Sequence, residues 1–302
     1  MRNVLITGVS TGIGFHTAKY LLERDFRVFG SVRKESDLER VKAALGPHFT
    51  PLLFDVRDSE AIARAREQVA AEVGEAGLDV LINNAGIVVH GPLKDLPESE
   101  FQKQFDVNVV GVMRVTRAFL PLLGARLPAR ERPGRILNIS SVSALITNPF
   151  LVPYCASKRA LEAFSEGLRR ELLLYGIPVV SILPGAIATP IWDKAEQKDD
   201  VFQGSDYEVL MAKIQRFMNA ARRKALEPEV LAALIFKIIN QKNPRRRYIL
   251  TNNKWPLLIG RLLPTALLDA LFRRMFEKSL GADLPLRTHP HPKTGGARVK
   301  KV

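Results

Sequence analysis

Tyr154 and Lys158 stand four residues apart, in one stretch with the hydroxyl of Ser141. On a helix, positions four apart share a face, with about 5–6 Å between their Cβ atoms. A free phenol titrates at about pH 10. A cation fixed beside it favours the phenolate and lowers that value. A phenol tuned in this way passes a proton to or from a substrate oxygen near neutral pH. The same two residues also fit a half-exposed helix pair with no chemistry, so the elements around them have to decide.

Those elements begin at the N-terminus. Val4-Leu5-Ile6-Thr7 reads as a buried strand, Gly8-Val9-Ser10-Thr11-Gly12-Ile13-Gly14 follows, and a helical pattern runs to about Arg24. In this context Gly8 permits a tight turn, Gly12 lets a pyrophosphate approach the backbone, and Gly14 lets helix and strand pack closely. The first amides of the helix then face the phosphates. A second strand, Arg27 to Val32, ends in neutral Val32 and then basic Arg33 and Lys34. An acidic residue there would bind a ribose 2′-hydroxyl and repel a 2′-phosphate. The basic end favours NADP(H) and leaves NAD(H) open, unless Arg33 and Lys34 are only a solvated loop.

Further strands are expected at Phe49–Phe54, Leu78–Ile82, Arg135–Ser140 and Ile177–Leu183. Asp55 and Val56 follow the third, where they could hold an adenine amino group and cover its ring. Asp55 could equally cap a helix over Ser59–Val73. Asn83-Asn84-Ala85-Gly86 closes the fourth strand with small polar groups. Asn108 falls inside a long helix expected to reach about Leu127. Asparagine is a poor helix former, so its position invites a functional reading. The helix with Tyr154 and Lys158 should run to about Tyr175, and Pro184-Gly185 ends the sixth strand. Apolar strands alternating with helices of 10 to 20 residues indicate an α/β domain with a parallel sheet. In such sheets ligands bind beyond the strand carboxyl ends, where Gly8, Val32, Asp55, Asn83, Ser141 and Pro184 gather.

Composition narrows the alternatives. The 302 residues are 46% hydrophobic, enough for one large domain. The single cysteine, Cys155, allows no internal disulfide and no multi-cysteine zinc site, and the five histidines have no metal-ligand spacing. No metal is expected, and a reducing, cytoplasmic setting fits. Strand-like sequence from Arg2 argues against a leader, and no apolar run reaches the 18 or so residues that span a bilayer. A net charge of +14 favours anionic partners without specifying fold. Arg245-Arg246-Arg247 has no aromatic platform for bases beside it, so nucleic acid is not an expected partner.

Taken together, Thr7-Gly8-x-x-x-Gly12-Ile13-Gly14, Asp55, Asn83-Asn84-Ala85-Gly86, Asn108, Ser141, Tyr154-x-Ala156-Ser157-Lys158 and Pro184-Gly185-x-x-x-Thr189 resemble the short-chain dehydrogenase/reductase family in its single-domain form. They occur in the family's order and cover about residues 2–250. The resemblance implies a Rossmann-like, doubly wound, seven-stranded parallel sheet in the order 3-2-1-4-5-6-7, with the seventh strand at Arg247–Leu250. It implies Tyr154 as general acid/base, Lys158 lowering its pKa and holding the nicotinamide ribose, Ser141 positioning the substrate oxygen, and Asn108 binding a water in a proton relay. Ser141 rather than Ser140 is chosen because it lies thirteen residues before Tyr154, the family's interval. The implied cofactor site is Gly8, Ser10, Thr11, Gly12, Ile13, Gly14, Arg33, Asp55, Val56, Asn84, Ala85, Gly86, Tyr154, Lys158, Pro184, Gly185, Ile187 and Thr189. Cys155 is read as a packing residue. A homodimer or homotetramer is implied as well.

Downstream of Thr189, Ile191 and Trp192 are apolar and Asp193–Asp200 is polar. Tyr207, Leu210, Met211, Ile214, Phe217 and Met218 then make one helical stripe. A substrate lid over about residues 186–226 is expected, or else plain core. Glu227-Pro228-Glu229 starts another helix. Beyond residue 250, an apolar helical extension to about 280 contains Trp255-Pro256-Leu257-Leu258 and the stripe Leu267, Leu268, Leu271, Phe272, Met275 and Phe276, with Arg273, Arg274 and Lys278 outside it. Packing on the lid, a subunit contact and an interfacial membrane helix all remain open for it. The rest, from Gly281 to Val302, is a basic tail expected to be flexible. The extension resembles that of members acting on steroids, retinoids or other lipids. The expected function is hydride transfer between NADP(H) and a lipophilic secondary alcohol or ketone. A non-catalytic NADP-binding regulator and a membrane-peripheral scaffold are the alternatives.

Overall fold

The computed structural model describes residues 1–190, 204–253 and 255–280. Ile191, Trp192, the polar run Asp193–Asp200, Lys254 and the tail from Gly281 to Val302 lie outside the described residues. Of Phe217, Trp255, Pro256 and Leu258, only the backbone is described.

Seven parallel strands form one sheet in the order β3-β2-β1-β4-β5-β6-β7. They are β1 (Arg2–Ile6), β2 (Phe26–Val32), β3 (Phe49–Leu53), β4 (Val80–Asn83), β5 (Arg135–Ile139), β6 (Val179–Pro184) and β7 (Arg247–Leu250). The central strands read as apolar runs because both faces of the sheet are covered. Successive side chains point to opposite faces. Val4, Ile6, Val80, Ile82, Leu137 and Ile139 therefore enter one core, while Leu5, Leu81 and Ile136 enter the other.

The first core is covered by α1 (Gly12–Leu22), α2 (Glu35–Leu45) and α8 (Pro228–Asn240), through Ala18, Leu21, Val41, Leu231, Ile235 and Ile238. The second is covered by α3 (Ser59–Val73), α5 (Gly111–Phe119) and α6 (Val152–Glu171), through Ile62, Val69, Val115, Phe119 and Leu168. A third, smaller cluster lies apart from the sheet. It joins Phe150, Leu210 and Met211 to Tyr207, Ile214 and Phe276. It brings α7 (Glu208–Arg223) against α10 (Thr265–Leu280), the second of the two C-terminal helices after α9 (Trp255–Leu262).

The long helix expected up to Leu127 is broken. α4 (Glu98–Phe105) passes into a π-helical turn over Asp106–Val110, then α5, then a 3₁₀ turn over Leu120–Leu123. Pro121 has no amide to continue the α-helical ladder, and Gly124 (φ +95°) ends the run in a left-handed conformation. The α6 helix likewise stops at Glu171 and tightens into a 3₁₀ turn over Leu172–Tyr175 before Gly176 (φ +66°). Strands β4 and β6 start two residues later than the apolar runs suggest. The Leu78 amide bonds to the Leu122 carbonyl (2.8 Å) and not to a neighbouring strand.

Candidate active site

The strand order reverses direction around β1 and β4, and the loops beyond their carboxyl ends line a cleft of about 340 Å³. Gly8, Ser10, Thr11, Gly12, Ile13, Arg33, Asp55, Val56, Asn84, Ala85, Gly86 and Thr189 all border it. Gly8 and Gly12 adopt positive φ (+73° and +60°), the region that side chains resist. Gly14 meets a different constraint. A Cβ there would lie 2.2 Å from the Gly8 carbonyl oxygen and 2.6 Å from Asn84 Nδ2. Thr11, at the start of α1, makes no side-chain cap, and the first turn has no acid. The first amides of α1 thus keep their donors and the positive end of the helix for an anion.

The loops are tied to one another by short polar side chains. Thr7 Oγ1 accepts from the Asn84 and Ala85 amides (both 2.9 Å), and Asn84 Nδ2 donates to the Thr7 and Gly8 carbonyls (2.8 and 3.0 Å). Ser31 Oγ accepts from the Gly8 amide (2.9 Å). Thr189 packs its side chain 3.2 Å from where a Gly12 Cβ would be, joining the segment after β6 to the glycine loop. Gly185 is fixed by its amide on the Leu250 carbonyl (2.8 Å), Pro184 pairs with Leu250 in the sheet, and Ile187 bridges to Leu226. Pro184, Gly185 and Ile187 are thus held by backbone pairing in the segment that leads to Thr189.

Asp55 is not the cap of α3. Asp58 is, accepting from the Glu60 and Ala61 amides. Asp55 instead receives two side-chain hydrogen bonds from Arg57 (2.9 and 3.1 Å). Partial burial pushes its carboxyl up, but the Arg57 hydrogen bonds and charge together outweigh that and hold it below the usual range.

Tyr154, Ser141, Lys158 and Asn108 come together beside this cleft. The Ser141 hydroxyl lies close enough to the Tyr154 phenol to act on its titration. Ser141 accepts from the Ser143 amide (3.1 Å), while the Ser140 hydroxyl is buried with no partner. Lys158 is 6% exposed, donates to the Ile139 carbonyl (2.9 Å) and holds its Nζ 5.8 Å from the Tyr154 ring centre. A Cβ on Gly86 would lie 3.3 Å from Asn108 Oδ1 and 3.8 Å from Lys158 Nζ, so this group adjoins the cleft at Gly86.

The protonation states differ from the sequence expectation. Burial pushes Tyr154 up to about 12, against the opposing influence of the Ser141 hydroxyl. The whole residue keeps partial exposure, but its phenol is surrounded densely enough for desolvation to prevail. Burial also pulls Lys158 down to about 8, against the opposing charge of Glu162. Desolvation of the phenol thus outweighs any lowering by the Lys158 ammonium, whose Nζ lies 5.8 Å from the ring centre. Asn108 differs too. It sits in the π-helical turn, a feature frequent at functional sites. Its Oδ1 accepts from the Ile87 amide (2.9 Å), and its Nδ2 donates to the Ile87 carbonyl (3.1 Å) and Ser157 Oγ (3.2 Å). Both donors are thus taken by protein groups, leaving a second acceptor position on Oδ1 for a water.

Sequence reading missed the buried polar chain that orients α6. Asn83 Nδ2 donates to Thr116 Oγ1 (3.0 Å) and Asn138 Oδ1 (2.8 Å), and Asn138 Nδ2 donates to Ser165 Oγ (2.8 Å). An asparagine in the middle of the apolar strand Arg135–Ile139 was its signal. Cys155 is buried and free, with its thiol pushed up by burial. Among the described residues, no group of three or more His, Cys, Asp or Glu side chains is placed to hold a metal.

Comparison with known proteins agrees with this geometry. The family model for short chain dehydrogenase matches residues 2–200. An NADPH-dependent 3-dehydrocapnine reductase of Ornithobacterium rhinotracheale is 36% identical over 279 residues, covering 92% of this chain and 98% of the relative. Human 17-beta-hydroxysteroid dehydrogenase type 1 is 36% identical over 276 residues, covering 86% of this chain and 80% of the relative. The crystal structure of a short-chain dehydrogenase from Streptomyces avermitilis superposes with a TM-score of 0.72 at 28% identity, covering 93% of this chain and 98% of that one. A glycine-lined cleft at the sheet's switch point, a Ser–Tyr–Lys group beside it and these full-length likenesses lead to one assignment: the chain belongs to the short-chain dehydrogenase/reductase family.

Proposed function

We propose that the chain is an NADP(H)-dependent oxidoreductase that interconverts a lipophilic secondary alcohol and its ketone, with Tyr154 as general acid/base. The observation that carries this reading is the gathering of Ser141, Tyr154 and Lys158 at the Gly86 end of the cleft, with Lys158 Nζ 5.8 Å from the Tyr154 ring centre. The residues fit a dinucleotide. The uncapped start of α1 and the bare backbone at Gly8 and Gly12 suit a pyrophosphate. Exposed Arg33 at the end of β2 suits a 2′-phosphate, and the relative from Ornithobacterium is named for NADPH. When bound, the nicotinamide supplies the hydride chemistry.

The chain's own residues supply position and protons. Ser141 donates to the substrate oxygen, and Tyr154 gives that oxygen its proton in reduction and takes it back in oxidation. Lys158, anchored on the Ile139 carbonyl, brings positive charge to the ribose side of the cleft. Asn108 and Gln104 hold the loop at Ile87, Val88 and Val89 that walls the cleft.

Lipophilicity is argued from the third cluster. Phe150, in a left-handed conformation (φ +62°) four residues before Tyr154, faces Tyr207 and Phe276 at ring distances of 5.4 and 6.0 Å. Helix α9 packs on the same loop, since a Cβ on Gly260 would lie 2.7 Å from Ile146 Cδ1. Residues 1–250 would thus carry the chemistry, and the C-terminal helices would wall an apolar substrate. The outer faces of α9 and α10 leave Ile259, Leu262, Leu267, Leu271 and Met275 exposed near Arg273, Arg274 and Lys278. This pattern suits peripheral contact with an anionic lipid surface.

The test is a cofactor-coupled screen of ketones and secondary alcohols with NADPH/NADP and NADH/NAD. Turnover of apolar carbonyls with NADPH preferred is expected. Tyr154→Phe should lower kcat about a hundredfold or more while leaving cofactor affinity nearly unchanged. Absence of both cofactor binding and turnover would remove the reading. Undiminished biological activity in Tyr154→Phe would favour a non-catalytic regulator instead.

A further inference from the structure

Arg40 is a cation near the cofactor cleft that the cofactor site above does not include. It lies on α2, where Val41 is fully buried and Leu38 packs against the first core, so the root of its side chain is fixed. Its guanidinium turns back to the glycine loop. Arg40 Nη2 donates to the Ser10 carbonyl (3.0 Å) and to Asp37 Oδ1 (2.5 Å), one turn earlier on the same helix. The Arg40 side chain stays 51% exposed and that of Asp37 24%. A surface ion pair of this kind adds little stability, so stability alone does not explain why Arg40 reaches the loop.

The place it reaches is the ribose end of the cleft. The Val9 amide bonds to the Ser31 carbonyl (2.9 Å) and the Gly8 amide to Ser31 Oγ (2.9 Å), so the glycine loop runs alongside the end of β2. Backbones paired in this way lie about 5 Å apart. Ser10, one residue beyond Val9, therefore stands beside Val32 and Arg33, and all three line the cleft. Arg40 comes to Ser10 from the helix that Arg33 and Lys34 lead into, which brings a second guanidinium to this end. A guanidinium has five N–H donors in a planar fork. Both contacts of Arg40 use Nη2, which leaves Nη1 and Nε for another acceptor. Glu35 and Asp37, in the first turn of α2, oppose an anion here, but Arg33, Lys34 and Arg40 set three cations against these two acids.

We propose that Arg40 is a further cofactor-selectivity residue, a second guanidinium beside Arg33 that favours the 2′-phosphate of NADP(H) over the 2′-hydroxyl of NAD(H). This inference rests on the NADP(H) reading of the cleft given above and adds a residue to it. A phosphate monoester carries a charge of about −1.5 to −2 at pH 7, and a ribose hydroxyl carries none. Pinned on Ser10, the guanidinium is in place before the ligand arrives, so little of its freedom is lost on binding. A purely structural tie to the glycine loop would serve both cofactors alike, whereas a cation at the ribose end serves the phosphorylated one more.

The experiment is isothermal titration of the full chain with NADP+, NAD+, 2′,5′-ADP and 5′-AMP, at low and at high salt, for wild type, Arg40→Met and Arg40→Lys. The two fragments differ only in the ribose phosphate. Wild type should prefer NADP+ to NAD+ and 2′,5′-ADP to 5′-AMP. Arg40→Met should weaken NADP+ and 2′,5′-ADP about tenfold at low salt while changing NAD+ and 5′-AMP by less than about twofold. The loss should shrink as salt rises, because the site is exposed. Arg40→Lys should keep most of the wild-type preference. If Arg40→Met does not fold, Arg40→Gln is measured in its place. An equal loss for both cofactors overturns the proposal and leaves Arg40 a tie to the glycine loop. A preference that survives intact also overturns it and leaves selectivity to Arg33 and Lys34, with the NADP(H) reading untouched. A wild type that binds the two cofactors alike overturns that reading and this inference together.

Discussion

Lys158 is buried with its Nζ on the Ile139 carbonyl, and the charge of Glu162 favours its ammonium. Its folded pKa of about 8 lies below the ordinary 10.5, so between these values the folded chain binds fewer protons than the unfolded one. Stability rises with pH wherever the unfolded state holds more protons. The cofactor-free protein should therefore gain roughly 3 kcal/mol as pH rises from about 8 to 10.5, with the penalty complete below that window. Tyr154 acts in the opposite sense above pH 10, because its folded value of about 12 lies above its ordinary one. Denaturant titrations across this range check both signs, and Lys158→Met should flatten the rise. A wild-type profile without such a rise would mean that Lys158 is solvated in solution.

Among the elements, the turn from β1 into α1 is the most constrained. Gly14 presses against the Gly8 carbonyl and Asn84, backbone and side chain that hold the cleft's two loops together. Neither neighbour can withdraw without breaking the Thr7–Asn84 hydrogen bonds. Gly14→Ala should push α1 off the sheet, cost about 2 kcal/mol or more, and weaken dinucleotide binding at least tenfold. Isothermal titration and thermal unfolding would measure the two effects. Full affinity in this variant would show that the approach of helix to strand is not what forms the phosphate site. The π-helical turn is the second such element. It inserts a residue so that Asn108 faces Ile87 and Ser157 from a helix whose other face packs Val107 into the core.

For the whole molecule, net charge and the apolar C-terminal helices act together. The chain has a net charge of +14, and the exposed apolar residues lie on α9 and on α10, which also carries Arg273, Arg274 and Lys278 as well as Asp269 and Glu277, with Leu262 84% exposed. Electrostatic attraction and apolar insertion add at an anionic lipid surface. The full chain should float with vesicles containing anionic lipid at low salt, release as salt rises, and fail to float once residues 255–302 are removed. A full chain that stays in solution beside anionic vesicles at low salt would sink the membrane contact. The surface would then be left to subunit packing. Among the described residues, no helix is long and apolar enough to cross a membrane.

Alternating apolar strands and helices and the glycine spacing specify a parallel sheet and the edge where the site lies, because periodicity and backbone permissiveness are local properties of the chain; the strand order is implied by the family resemblance and is the order observed. The choice of Ser141 over Ser140 comes from the family's interval to Tyr154, not from local periodicity. Sequence could not show that Asp55 is engaged by Arg57, that Asn108 sits in a π-turn with both donors taken, or that Asn83, Asn138 and Ser165 form one buried chain. Those depend on partners brought together from distant positions. The protonation of Tyr154 and Lys158 belongs to the same group. Helical spacing places the cation near the phenol, but desolvation by the surrounding fold raises one pKa and lowers the other. Only tertiary structure determines how much water each group has lost.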